Sequence, residues 1–187
     1  NRGTIGGNLA TASPAGDALP PLLAGGAEVE LRSPDATRQL PLSEFLTGPK
    51  RTQLAEDELI TAVRVPRAGG PQEFSKVGSR NAMVIAVCSF ALDLDLERRR
   101  VGTGIGSAGP TVLTAPAAER FLAEVLDEAG WARLPAGAAE RFGELVAEAA
   151  SPIDDVRGSA RYRRHALSVL AGRTLTWAWA RRGARAA

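Results

Sequence analysis

The residues best suited to chemistry lie at the start of the chain, in Thr4-Ile5-Gly6-Gly7-Asn8. Paired glycines let a backbone approach a ligand closely and turn several N–H groups toward one point, which a diphosphate needs where no metal or lysine cradles it. The same pair also suits a plain tight turn, and spacing alone leaves both readings open. No Gly-Lys-Ser/Thr follows, as a Walker loop requires, and the Gly-x-Gly-x-x-Gly order of a Rossmann turn is absent. Nucleotide triphosphate hydrolysis is therefore unsupported.

Other chemistry-bearing residues point away from a self-contained reaction centre. Cys88 is the single cysteine, which excludes a disulfide framework, a cysteine zinc site and any iron–sulfur cluster held by this chain alone. His165, the single histidine, falls on an arginine-rich helix without an acidic or cysteine partner at ligand spacing, so neither a metal site nor a catalytic triad is expected. Asp154-Asp155 follows Ser151-Pro152 and reads as a cap or a solvated turn. Trp131, Trp177 and Trp179 suit packing or an interface, with the last two on opposite sides of the final helix.

The elements that must position these residues follow from composition and pattern. With 187 residues, 44% of them hydrophobic and 24% charged, the chain can bury a real core and is not disordered. Residues 1–17 hold small and turn-forming types and read as a loop. Asp17 is placed to cap a short helix that Pro20 and Pro21 open and Gly25-Gly26 close. Alternation over Ala27–Arg32 and Thr37–Leu40 about Ser33-Pro34-Asp35 predicts a β-hairpin, and Leu59–Val65 a further strand. The breakers at 67–71 divide the chain. Beyond them come a strand at Glu73–Val77 and another at Val84–Leu96. In the second, Phe90, Leu92, Leu94 and Leu96 face a core, while Asp93, Asp95 and Glu97 face water. A glycine-rich strand returns at Arg100–Ser107. Helices follow from Pro116, from Ala138 and over about Ser159–Arg182, with Phe121, Leu122, Val125 and Leu126 forming the first buried stripe. The fold class expected is α+β: a small mixed or antiparallel sheet with short helices over 1–66, then a three-stranded antiparallel sheet packed with helices over 72–187.

Residues 151–187 carry 8 basic and 2 acidic residues, against 8 acidic and 7 basic in 1–70. Arg157, Arg161, Arg163, Arg164, Arg173, Arg181, Arg182 and Arg185 are read as lying on a solvated helix without a groove-reading motif, so nucleic acid is not expected as a partner. The longest uncharged run, 101–118, holds four glycines and two prolines and makes no membrane span. Neither an export signal nor a span being expected, the cytoplasm is the expected location.

The run from Arg2 through Asp17, followed by Leu19-Pro20-Pro21-Leu22-Leu23-Ala24, resembles the second flavin-binding segment of the FAD-binding (medium) subunit of the molybdenum hydroxylases, the xanthine dehydrogenase and carbon monoxide dehydrogenase family. The likeness continues through 41–46 (PLSEFL), 58–66 (ELITAVRVP) and 74–80 (FSKVGSR), in the same order. It implies a type 2 FAD-binding subdomain at 1–66 and a C-terminal domain of the carbon monoxide dehydrogenase flavoprotein type at 72–187. The family also carries an earlier subdomain with a second glycine-rich loop. Nothing here matches that loop, so the sequence reads as a piece of something longer, and 1–187 alone is not expected to hold FAD.

Residue roles come with the resemblance. Backbone groups of Thr4, Ile5, Gly6 and Gly7, with the Asn8 side chain, would meet the diphosphate, and Ser13 would add a hydroxyl. Asp17 would accept from ribose or ribityl hydroxyls, its carboxylate offering acceptors alone. Ile60, with Leu59, would lie against a flat ring, the alternative being an ordinary strand core residue. Lys76 would sit near the electron-rich end of the flavin and raise its potential; otherwise it is a solvated lysine on a strand edge.

The activity implied is electron transfer by an oxidoreductase subunit with FAD as cofactor. A molybdenum-cofactor subunit would oxidise the substrate, 2Fe-2S clusters on an iron–sulfur subunit would pass electrons to FAD, and NAD or another acceptor would receive them. Two alternatives stand beside it: a non-catalytic assembly module that docks to partner subunits, and a flavin oxidase of the vanillyl-alcohol oxidase type.

Overall fold

The computed structural model describes residues 3–80 and 84–182. Arg2 of the motif run and Arg185 of the basic tail lie outside the described residues. The opening segment, expected as loop, contains a helix, α1, at Ile5–Thr11. Two glycines inside a helix cost about 1 kcal/mol each relative to alanine. Two features offset that cost: the Thr4 hydroxyl caps the helix by accepting from Gly7 N–H at 2.9 Å, and Leu9 is fully buried. One buried leucine contributes about 1.5–3 kcal/mol. Tertiary burial thus overrides the local turn signal of the glycines.

The next helix, α2 (Leu19–Ala24), starts from Ala18, which makes no side-chain capping bond. Asp17 is therefore not the cap expected of it. The predicted hairpin forms from β1 (Glu28–Arg32) and β2 (Thr37–Pro41). A single turn, α3 (Leu42–Phe45), and a two-stranded ladder of β3 (Leu46–Gly48) with β4 (Arg51–Thr52) lead to β5 (Leu59–Arg64). That strand joins the free side of β1 to give an antiparallel sheet of order β2-β1-β5. Leu9, Leu19, Val29, Leu31, Leu42 and Phe45 pack into the first core.

The second sheet is the expected antiparallel trio: β6 (Gln72–Val77), β7 (Cys88–Asp95) and β8 (Arg100–Gly106), in that order. Three helices complete the chain, α4 (Pro116–Glu128), α5 (Ala138–Ala149) and α6 (Ala160–Arg181). Phe90 of β7 meets Phe142 of α5 edge to face, ring centroids 5.9 Å apart, at the centre of the second core. The α+β class is as expected, and among the described residues no helix is long and apolar enough to cross a membrane.

Two expectations fail here for physical reasons. Strand β7 is buried on both faces rather than one, with Asp93 and Asp95 at 3% and 2% exposure. Its second face is covered by α2, whose backbone lies so near β8 that a Cβ at Gly102 or Gly104 would collide with the carbonyl of Ala24 or Pro20. The aspartates are compensated by ion pairs, Asp93 with Arg100 and Asp95 with Arg98. Burial still pushes the Asp93 carboxyl above its ordinary value.

The second failure is at Arg163, placed by sequence on a solvated helix face and found at 3% exposure. Its Nη1 donates to the Ser107 carbonyl at 3.0 Å and its Nη2 to Asp155 Oδ1 at 2.5 Å. Asp155 is thus an anchor rather than a solvated turn, its carboxyl held below the ordinary range by the Arg157 backbone N–H and by Arg163. Asp154 accepts from Ala160 N–H at the start of α6, while the cap itself is Ser159, whose hydroxyl accepts from Tyr162 N–H.

Candidate functional site

The site builds outward from the capped start of α1. Thr4 and Asn8 shape it: Asn8 Nδ2 donates to the Thr4 carbonyl at 3.0 Å, while Gly7 N–H is taken by the Thr4 hydroxyl. The amides of Ile5 and Gly6 have no partner among the described residues and belong to the first turn of α1, the positive end of the helix. No acidic residue stands in the first turn. A Cβ at Gly3 or Gly6 would meet nothing within 4 Å. The backbone is therefore open to a flat approach by an anionic group, and Gly6 is where that openness costs the helix stability.

From Asn8 the surface continues to Asp17. Gly16 is wedged against the Asn8 side chain, a Cβ there lying 3.2 Å from Asn8 Oδ1 and from the Ser13 carbonyl. Asp17 follows directly, and its Oδ2 accepts from Lys76 Nζ at 2.6 Å. Lys76 stands on β6, opposite Ser89 of β7, and also donates to the Val84 carbonyl at 3.3 Å. Two residues 59 positions apart in sequence, each expected at the site for a separate reason, are thereby joined. Asp17 Oδ1 keeps its acceptor capacity, with no partner among the described residues.

Other expected residues are distributed differently. Ile60, partly buried, pairs with Leu31 and packs on the first core. Leu59, by contrast, is 72% exposed, an apolar side chain without apolar cover. Ile5 is likewise exposed, at 54%. The Ser13 hydroxyl accepts from Ala15 N–H at 3.3 Å, and Ser13 borders a cleft of about 460 Å³ that it shares with Ser107, Ser151 and Arg163.

Sequence reasoning missed what aligns these pieces, the β8 glycines that seat α2 and the buried Arg163. A signal existed for each. Gly102, Gly104 and Gly106 recur at period two on one strand face, and Arg163 sits one turn before Leu167 on the buried stripe Leu167, Leu170, Ala171, Thr174, Leu175 and Ala178. Among the described residues no cluster of His, Cys, Asp or Glu could hold a metal ion. The arrangement offers open backbone amides, a free carboxylate oxygen, one ammonium and exposed apolar side chains. That donor set fits a ligand with a diphosphate, a polyol and a flat ring.

Comparison with known proteins gives this set a context. Residues 1–68 match the family described as the FAD binding domain in molybdopterin dehydrogenase, and residues 73–178 match the CO dehydrogenase flavoprotein C-terminal domain. The chain is 34% identical over 185 residues to the nicotine 6-hydroxylase medium subunit of Paenarthrobacter nicotinovorans, covering 97% of this chain and 62% of that protein. It is 28% identical over 195 residues to the xanthine dehydrogenase FAD-binding subunit of Escherichia coli O157:H7, covering 99% and 63%. Among solved structures, a carbon monoxide dehydrogenase from Hydrogenophaga pseudoflava superposes with a TM-score of 0.84 at 28% identity, over 97% of this chain and 62% of its counterpart. The chain thus spans about three fifths of the length of these relatives.

Proposed function

The chain belongs to the FAD-binding subunit family of the molybdenum hydroxylases, and from that premise we propose that it carries electrons through FAD from iron–sulfur clusters on one partner subunit to NAD or another acceptor. A molybdenum-cofactor subunit completes the assembly in this reading and selects the substrate. The chain divides functionally at 1–66, which grips the cofactor, and 72–187, which supplies Lys76 and the sheet that supports it.

The observation that carries the reading is the juxtaposition of Asn8, Gly16-Asp17 and Lys76 on one surface beside the open backbone of Gly6. Bound FAD supplies the chemistry by taking up electrons and delivering them in pairs. The chain's own residues bind and orient. The Ile5 and Gly6 amides hold the diphosphate, and Thr4 and Asn8 fix the helical turn that presents them, with Gly7 inside that turn and Ser13 beyond the end of α1. Asp17 Oδ1 accepts from a cofactor hydroxyl. Lys76 places positive charge where the ring system gains negative charge on reduction. Leu59 covers a ring face, and Ile60 supports it from the core side. None of these side chains has to move a proton.

Acid precipitation of the purified complex tests the reading. Neither His165 nor Cys88 lies in the segments that form the site, so this part of the site offers no His or Cys for a covalent bond to FAD. The expected result is FAD in the supernatant at one per chain, with iron–sulfur and molybdenum subunits co-purifying. A complex without flavin would favour the assembly-module reading, and flavin retained in the pellet would refute the non-covalent site.

A further inference from the structure

The ion pair between Asp17 and Lys76 is more than the meeting of two contact residues, because its two ends are built differently. Asp17 stands on a stiff base. Gly16 N–H donates to the Ser13 carbonyl at 2.9 Å, Leu19 N–H donates to the Gly16 carbonyl at 3.3 Å, and Leu19 leads into the helix seated on the β8 glycines. Lys76 ends in an ammonium on a flexible four-carbon stem. That ammonium is held at 2.6 Å by Asp17 Oδ2 and more loosely, at 3.3 Å, by the Val84 carbonyl. The stiff partner therefore decides where the mobile charge stands. The pair is half open to solvent, with side-chain exposures of 31% for Lys76 and 48% for Asp17, so a ligand lying over it can reach both groups. An ammonium has three donors, and two are accounted for.

We propose that Asp17 is the positioning residue for Lys76: one carboxylate oxygen fixes the ammonium against the cofactor surface while the other remains for the cofactor itself. The inference rests on the reading that FAD lies on this surface. Its consequence is that the flavin potential depends on Asp17 in two ways of opposite sign. As a negative charge, Asp17 disfavours reduced flavin. As the tether of Lys76, it favours reduced flavin by keeping a positive charge in place.

The two roles separate because Coulomb potentials of fixed charges add. If Lys76 stayed in place without Asp17, Asp17→Asn would shift the potential equally whether residue 76 were lysine or methionine. Any difference reports movement of the ammonium. The experiment measures the two-electron midpoint potential of FAD in the purified complex for the native protein, D17N, K76M and the double variant. In the K76M background, D17N is expected to raise the potential. With Lys76 present it is expected to raise it less, or lower it, the two shifts differing by a factor of ten or more in relative affinity for oxidised and reduced flavin, about 30 mV. Asp17→Glu gives a second test that keeps the charge but moves the carboxylate: its shift should differ between the Lys76 and K76M backgrounds, because only with Lys76 present does it also displace the ammonium. Equal D17N shifts in both backgrounds overturn the proposal while leaving the site reading intact. A native complex that holds no FAD overturns both.

Discussion

Gly104 of β8 lies directly beneath the carbonyl of Pro20 in α2, with no room between them for a methyl group. Gly102 stands in the same relation to Ala24, and at Gly106 an added Cβ would crowd Pro20 and Ser89. The glycine face of one strand thus acts as a seat for a helix from the other part of the chain. This seat fixes Asp17, just before α2, beside Lys76, two strands away on β6.

Gly104→Ala should therefore weaken the site without touching it. Forcing a methyl group against a backbone costs about 1–3 kcal/mol, and in a protein of this size each kcal/mol lowers Tm by about 2–4 °C. Thermal unfolding should show that drop, together with a loss of bound flavin. An unchanged Tm would mean that α2 does not rest on β8 as described.

Cys88 should be chemically silent in the native protein. It is fully buried in β7, and burial pushes its thiol up to about 11, with Arg163 opposing only in part. Little thiolate is present at neutral pH, and no reagent can reach it. Mass spectrometry of the Cys88 peptide after iodoacetamide should find it unmodified in the native protein and modified after denaturation. Native labelling at the denatured rate would show β7 opening.

Acid sensitivity should include a contribution from Glu58. Its carboxylate takes two bonds from Arg38, at 2.7 and 2.9 Å, and one from Ala55 N–H. Arg38 first, then that amide, lowers its pKa from 4.5 to about 2. The unfolded chain therefore binds more protons across this interval, so the stabilisation is present above pH 4.5 and is lost as pH falls toward 2. Arg38→Met should flatten the decline of Tm between those values. Parallel declines in both proteins would show that the pair adds nothing.

Much of the fold was legible because local pattern and tertiary burial agree. The hairpin about Ser33-Pro34-Asp35, the three helices and the antiparallel trio all come from periodicity. The failures occur where they disagree. Gly6-Gly7 speak for a turn until Leu9 is given a core to enter. The alternation of β7 reads as half solvated because Asp93 and Asp95 are polar, and their cover comes from outside the strand, α2 beside Asp93 and Gly69 against the Asp95 carboxylate. Asp17 and Lys76 could each be placed at the site by likeness to relatives, but their contact belongs to the packing of α2 on β8 and has no local signal.

The central claim, that the start of α1 is an open cradle for FAD, is tested most directly at Gly6, where a Cβ meets nothing within 4 Å of protein. Gly7 is less suitable, since a Cβ there would press on the Thr4 hydroxyl at 3.0 Å and disturb the cap. In a helix, alanine is favoured over glycine by roughly 0.5–1 kcal/mol, so Gly6→Ala should raise the Tm of the flavin-free protein by roughly 1–4 °C. The same methyl group would occupy the space through which the diphosphate reaches the Ile5 and Gly6 amides. A flavin titration of the deflavinated complex should then show FAD affinity reduced about tenfold or more, equivalent to about 1.4 kcal/mol. A raised Tm with undiminished FAD affinity would contradict the account, for Gly6 would then be an ordinary weak point of a helix and the diphosphate would lie elsewhere.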